Sequence, residues 1–226
     1  NATNYFVAKS HMDRAEDLSV RKDGMGEAIQ TVKSANEGIT AITDLIASAK
    51  GIAQSALSAG TTERSTLATQ FGSIRTQIDQ LAEDSGYKGT NLLDSGTLEV
   101  KFNEDGTNTL SITGFDASTS GLAIDAAASS WASDENINAA ITDLDAALTT
   151  LRSEAKTLSS NLNIITTRNS FTQGMINVLT EGATSLTAAD TNEEGANMLM
   201  LQVRQSLGTT ALSLSAQAAQ SVLRLF

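Results

Sequence analysis

The sequence predicts a mainly α protein: a long-helix coiled bundle with one small β-hairpin and a separate C-terminal helix. Three observations carry this. Apolar residues recur four and three positions apart over stretches far longer than an ordinary globular helix. The 226 residues contain no proline, where usage of about 5% would supply roughly eleven, and proline is the residue that breaks helix interiors. A single pair of short segments near residues 97–113 alternates with period two instead.

The first helix is expected from about Ala2 to Ser58. Met25, Ile29, Val32, Ile39, Ile42 and Ile46 carry its stripe, and Ala49 and Ala56 continue it. Such a helix runs on the order of 80 Å, a length that belongs to fibres and coiled coils rather than to pockets. Gly60-Thr61-Thr62 ends it, and Glu63 and Arg64 lead into a second helix with Leu67, Phe71, Ile74, Ile78 and Leu81 on one side. Asp84, Ser85 and Gly86 stop the second helix. Leu98 to Phe102 and Leu110 to Ile112 then alternate about the turn residues Asn103 to Gly106, which reads as a hairpin.

Residues 114–132, rich in Ala, Ser, Gly and Asp, read as a short surface connection with Trp131 as a hydrophobic plug. Ser133, Asp134 and Glu135 open the third helix. Ile137, Ile141, Leu144, Leu148, Leu151, Ala155, Leu158, Leu162 and Ile165 alternate four and three without interruption, a heptad seam. Beyond Ile165 the stripe is expected to step sideways to Phe171, Met175 and Val178, as a stutter would produce. A break from Gly182 to Asn192 sets off the last helix. The organisation expected is therefore a bundle over 1–190, with a hairpin at about 97–113 and a connection at 114–132, and a separate helix over 191–226. Ile29, Ile39, Phe71, Ile74, Ile78, Leu148, Leu151, Leu158, Leu162 and Ile165 are the candidate core.

Composition removes several functions. Fifteen basic residues against 26 acidic ones leave a charge of −11, which makes phosphate backbones and anionic membrane surfaces poor partners. No apolar run approaches the roughly 18 residues of a membrane span. Cysteine is absent and His11 is the only histidine, so neither a thiolate metal site nor a His-based acid–base pair can be assembled. No phosphate loop, nucleophile elbow or zinc motif occurs, and no cofactor is expected.

The chain's last stretch, Leu212 to Phe226, raises a question of its own. Leu214, Ala218, Val222 and Leu225 lie on one side, while Leu212, Ala216, Ala219, Leu223 and Phe226 lie on another. A helix apolar on several sides expects neighbours all round.

The residues resemble bacterial flagellin over nearly the whole chain. Gln217 to Phe226 is similar to the flagellin ending Q-x-x-Q-x-V-L-x-L, with Gln217, Gln220, Val222, Leu223 and Leu225 in register. Asp190, Glu194, Asn197 and Met198 match D-x-x-x-E-x-x-N-M. Ala35 to Ile39 resembles A-N-D-G-I, and Tyr87 to Leu93 resembles F-N-G-x-x-L-L. The resemblance implies a structural subunit of the flagellar filament, not an enzyme, that self-assembles for motility. It implies an inner tube of terminal helices, one of them preceding Asn1, with Leu212, Leu214, Gln217, Gln220, Val222, Leu223, Leu225 and Phe226 in polymerisation. It also implies export as an unfolded chain, an export chaperone on the C-terminal region, the flagellar export apparatus, and hook-associated and cap proteins as partners. A hook–filament junction protein and a secreted coiled-coil adhesin are the alternatives; the first normally carries a larger middle region, and the second leaves the terminal motif unexplained.

Overall fold

The computed structural model describes residues 2–188 and 191–223, and side chains except those of 191–193, 222 and 223. The elements run α1 (Ala2–Leu57), α2 (Thr61–Asp84), β1 (Thr97–Lys101), β2 (Thr109–Thr113), a 3-10 turn (Ala128–Trp131), α3 (Asp134–Thr187) and α4 (Thr191–Leu223). The chain divides into two units, Met12–Leu179 and Asn1–His11 with Thr180–Phe226. The break that the sequence placed from Gly182 begins later, because α3 runs through Gly182 to Thr187. A glycine in a helix costs about 1 kcal/mol against alanine. That is too little to end a helix this long.

Within Met12–Leu179 the core is a seam between long helices. On α1 the covered positions run through Met25, Ala28, Val32, Ala35, Ile39, Ile42, Ile46, Ala49, Ala53 and Ala56, all buried. Alanine at the later positions lets the backbones approach closely. On α3 the buried positions include Ile137, Leu144, Ala147, Leu151, Leu158 and Ile165, and α2 adds Phe71, Ile78 and Ala82. Of the expected core, Ile39, Phe71, Ile78, Leu151, Leu158 and Ile165 are buried. Ile29, Ile74, Leu148 and Leu162 are half-buried at its edge. At two of these, an alanine one residue earlier (Ala28, Ala147) takes the closest position, and the larger side chain covers the flank.

The seam does not step sideways after Ile165. Asn169, Thr172, Ile176 and Leu179 continue the four-three alternation, with Thr172 and Leu179 buried. Phe171 and Val178 are exposed. The sequence concealed this because Asn169 and Thr172 are polar members of an otherwise apolar row. Asn169 donates from Nδ2 to the Lys22 carbonyl at 3.0 Å, and Lys22 Nζ donates to Gln173 Oε1 at 2.6 Å. This polar layer separates the main core from a small cluster of Ala15, Leu18 and Leu179, covered by Met175 and Ile176. At the same level α1 takes two three-residue steps in succession, from Lys22 to Met25 to Ala28, the local phase change of a stammer.

The hairpin pairs antiparallel from Thr97↔Thr113 to Lys101↔Thr109. Val100 and Ile112 are its buried side chains. Gly106 (φ 67°) makes the turn, and Asn103 Oδ1 accepts the Asn108 N–H at 2.9 Å.

The connection at 114–132 is not simply a surface segment. Ala117, Leu122, Ile124 and Trp131 are buried in the main core. Asp79 Oδ1 accepts the Thr119 N–H at 2.7 Å, and Arg75 Nε donates to the Ile124 carbonyl at 3.1 Å, tying the connection to α2. Trp131 plugs the core as expected, its ring 4.9 Å from that of Phe71. Ser129, Ser130 and Trp131 are left-handed (φ 48°, 51° and 58°), a conformation costing about 1–2 kcal/mol per residue.

Candidate assembly surface

The residues that carry the family resemblance each have a local physical role. Gly38, in the Ala35–Ile39 stretch, faces the end of α2. A Cβ there would lie 2.2 Å from Ser85 Oγ and 2.6 Å from Leu93 Cδ1. Ser34 Oγ donates to the Ser85 carbonyl at 3.0 Å across the same contact. In the Tyr87–Leu93 stretch, Asn91 Nδ2 donates to the carbonyls of Ala82 and Glu83 at 2.8 and 3.0 Å. These are among the carbonyls that the end of a helix leaves without partners. Asn91 Oδ1 accepts the Leu93 N–H at 2.9 Å, and Leu92 and Leu93 turn into the core. At the other end of the bundle, Arg64 Nη2 donates to the Leu57 carbonyl at 3.1 Å and to Asp134 Oδ1 at 2.6 Å, joining the end of α1 to the start of α3.

The second unit is different in kind. Among its described residues only Ala8 and Ala183 are buried. Every α4 side chain from residue 194 to 221 is exposed, including Met198, Leu199, Met200, Leu201, Val203, Leu207, Leu212 and Leu214 at 53–72%. Met198 to Leu201 are consecutive, so they occupy all sides of the helix. Tyr5, Phe6 and Val7 of α1 are exposed as well. Of the polymerisation residues expected, Leu212, Leu214, Gln217 and Gln220 are on this uncovered helix. The side chains of Val222 and Leu223, and all of Leu225 and Phe226, lie outside the described residues.

The sequence reading missed the exposed row of Met198 to Leu207 as site residues, although four consecutive large apolar residues were the available signal. His11, the chain's single histidine, is half-buried on α1. Among the described residues no cluster of three or more His, Asp or Glu could hold a metal. No described helix is long and apolar enough to cross a membrane. A monomeric protein rarely exposes contiguous apolar surface on this scale, and such a surface marks an interaction site. Fold and site together define a long-helix subunit that completes its burial in an assembly.

Comparison with known proteins says which assembly. The chain is 30% identical over 238 residues to a flagellin of Brucella melitensis, covering all of this chain and 84% of that protein. It is 28% identical to the flagellin FljM of Caulobacter vibrioides over 230 residues, with the same coverage. Among solved structures, a Bacillus cereus flagellin shares the fold with a TM-score of 0.56 at 18% identity, over 74% of this chain and 93% of that one. No protein-family model matches. The chain belongs to the bacterial flagellin family. It is a structural subunit of the flagellar filament, self-assembling, and its place is the extracellular filament.

Proposed function

We propose that α4 forms the inner wall of the filament tube, packed on the same helix of neighbouring subunits, and that the bundle of α1, α2 and α3 forms the shell outside it. The observation that carries this is the exposure of every described α4 side chain from residue 194 to 221, apolar ones included. Copies of a helix arranged round an axis give each one the several-sided apolar surroundings that a monomer lacks.

The same exposure implies a covering partner before assembly, an export chaperone on the C-terminal region. Passage through the export apparatus as an unfolded chain suits a sequence with neither disulfide-forming cysteine nor slowly isomerising proline. Hook-associated and cap proteins are the partners at the filament's ends. The role is structural throughout, with no catalytic step and no cofactor.

Leu214→Asp in the full-length protein tests the wall. An unpaired carboxylate buried against apolar neighbours costs several kcal/mol, and each added subunit repeats the defect. Folded monomers that fail to elongate filament seeds are expected, scored by electron microscopy and sedimentation. Normal filaments would overturn the inner-wall role.

A further inference from the structure

Cysteine is absent, so the chain's only sulfur lies in its five methionines. Their surroundings differ sharply. Met25 is fully buried in the main core, and Met175 is half-buried on α3. Met198 and Met200 of α4 are 62% and 53% exposed, and Met12 of α1 is 58% exposed. An oxidant must reach a thioether to convert it, so exposure ranks these five sulfurs by susceptibility.

Met198 and Met200 are two residues apart, which sets them about 200° apart round an α-helix. Met200 shares its side of α4 with Val203 and Leu207, and Met198 shares the other with Leu201 and Leu212. Sulfur therefore stands in both apolar sides of the uncovered helix, and a helix packed on several sides buries both. Methionine suits such packing, because its flexible thioether fills irregular gaps. Its sulfoxide does not, because the S–O group is polar and is costly to bury without a hydrogen-bond partner.

We propose that Met198 and Met200 form an oxidation site that decides whether a free subunit can assemble. The oxidant is a peroxide. The thioether sulfur attacks one peroxide oxygen, and an S–O bond forms as the O–O bond breaks. With hydrogen peroxide, the proton of the transferred oxygen passes to the departing one, which leaves as water. The sulfur loses two electrons and the peroxide gains them. The sulfoxides then stand where α4 meets its neighbours and prevent addition of the subunit, and enzymatic reduction to the thioether reverses the block. The inference rests on the reading of α4 as an assembly surface, but not on which wall of the filament it lines.

The test treats full-length monomers with hydrogen peroxide, quenches them, maps the methionines by peptide mass spectrometry and offers the protein to filament seeds. Met198 and Met200 should oxidise about tenfold or more faster than buried Met25, and elongation by the treated wild type should fall about tenfold or more. The double variant Met198→Leu with Met200→Leu, still apolar at both positions, should elongate equally well before and after treatment. Met12→Leu should remain as sensitive as wild type. Should the double variant fail to assemble untreated, the two methionine sulfoxide reductases, one for each sulfoxide epimer, decide the matter: elongation by treated wild type should return as residues 198 and 200 are reduced, and no recovery overturns the proposal. Treated wild type that elongates normally with both sulfurs oxidised also overturns it. So does a loss of elongation that the double variant shares, or that Met12→Leu abolishes. If Leu214→Asp cannot elongate while oxidised wild type can, this inference falls and the inner-wall reading stands. If Leu214→Asp assembles normally while the oxidation block and its rescue hold, the inner-wall reading falls and this one stands.

Discussion

Asn169 and Lys22 are bonded across 147 positions of sequence, the amide of one donating to the main-chain carbonyl of the other at 3.0 Å. The bond sits where the heptad seam would place two apolar side chains. It marks the level at which the core of the bundle divides.

A polar residue in a heptad seam lowers stability and specifies register. Asn169→Leu is expected to join the two apolar clusters. The urea midpoint should rise, and amide exchange in residues 12–21 should slow towards that of 25–57. A variant destabilised by more than about 1 kcal/mol would show instead that the hydrogen bond outweighs the apolar gain.

Leu158 is 2% exposed whereas Leu148 is half-buried. Leu158→Ala should cost about 2–5 kcal/mol, as full truncations in packed cores do, and Leu148→Ala clearly less. Equal shifts in urea midpoint for the two would contradict the edge position of Leu148.

Gly38→Ala should destabilise by about 1–3 kcal/mol, the usual range for overpacking, because the new methyl meets Ser85 and Leu93. The double variant Gly38→Ala with Ser85→Gly should recover part of the loss in thermal melts. No recovery would place the strain elsewhere.

Arg14 clasps Glu104 on the hairpin turn, and that hydrogen bond holds the Glu104 carboxyl below the ordinary glutamate range. A depressed carboxyl contributes stability that is fully present above its unfolded pKa and disappears as pH falls through the folded one. Wild type should therefore lose its advantage over Glu104→Gln as pH falls below the ordinary glutamate range, and the two should converge once both are uncharged. Parallel stability curves through that window would show that the clasp contributes nothing.

The sequence made the helices legible wherever the apolar period was unbroken, as from Ile137 to Ile165, and made the hairpin legible through its alternation. It concealed what depends on tertiary partners. Asn169 and Thr172 look like loss of the seam until Lys22 and Gln173 lie beside them. Ala117, Leu122 and Ile124 have no period because they enter the core from an irregular chain, so their burial left no pattern to read. Gly182 looked like a stop because glycine often is one, yet the long helix carries on through it. The candidate assembly surface was visible in outline because a helix apolar on several sides is anomalous for a monomer. Phe171, Met175 and Val178 read as the continuation of the seam, since spacing alone does not separate two parallel rows on one helix.

Trp131 is the chain's single tryptophan, fully buried against Phe71 and carried on a left-handed turn outside the long helices. The molecule thus contains one indole, excitable selectively at the long-wavelength edge where Tyr5 and Tyr87 hardly absorb, at the junction of α2 and the connection, and none on α4. Its emission should report on the bundle alone. A red shift would signal bundle opening, while subunits joining through α4 should leave the spectrum unchanged as light scattering rises. Folding and polymerisation can therefore be timed separately in one cuvette, without an added label.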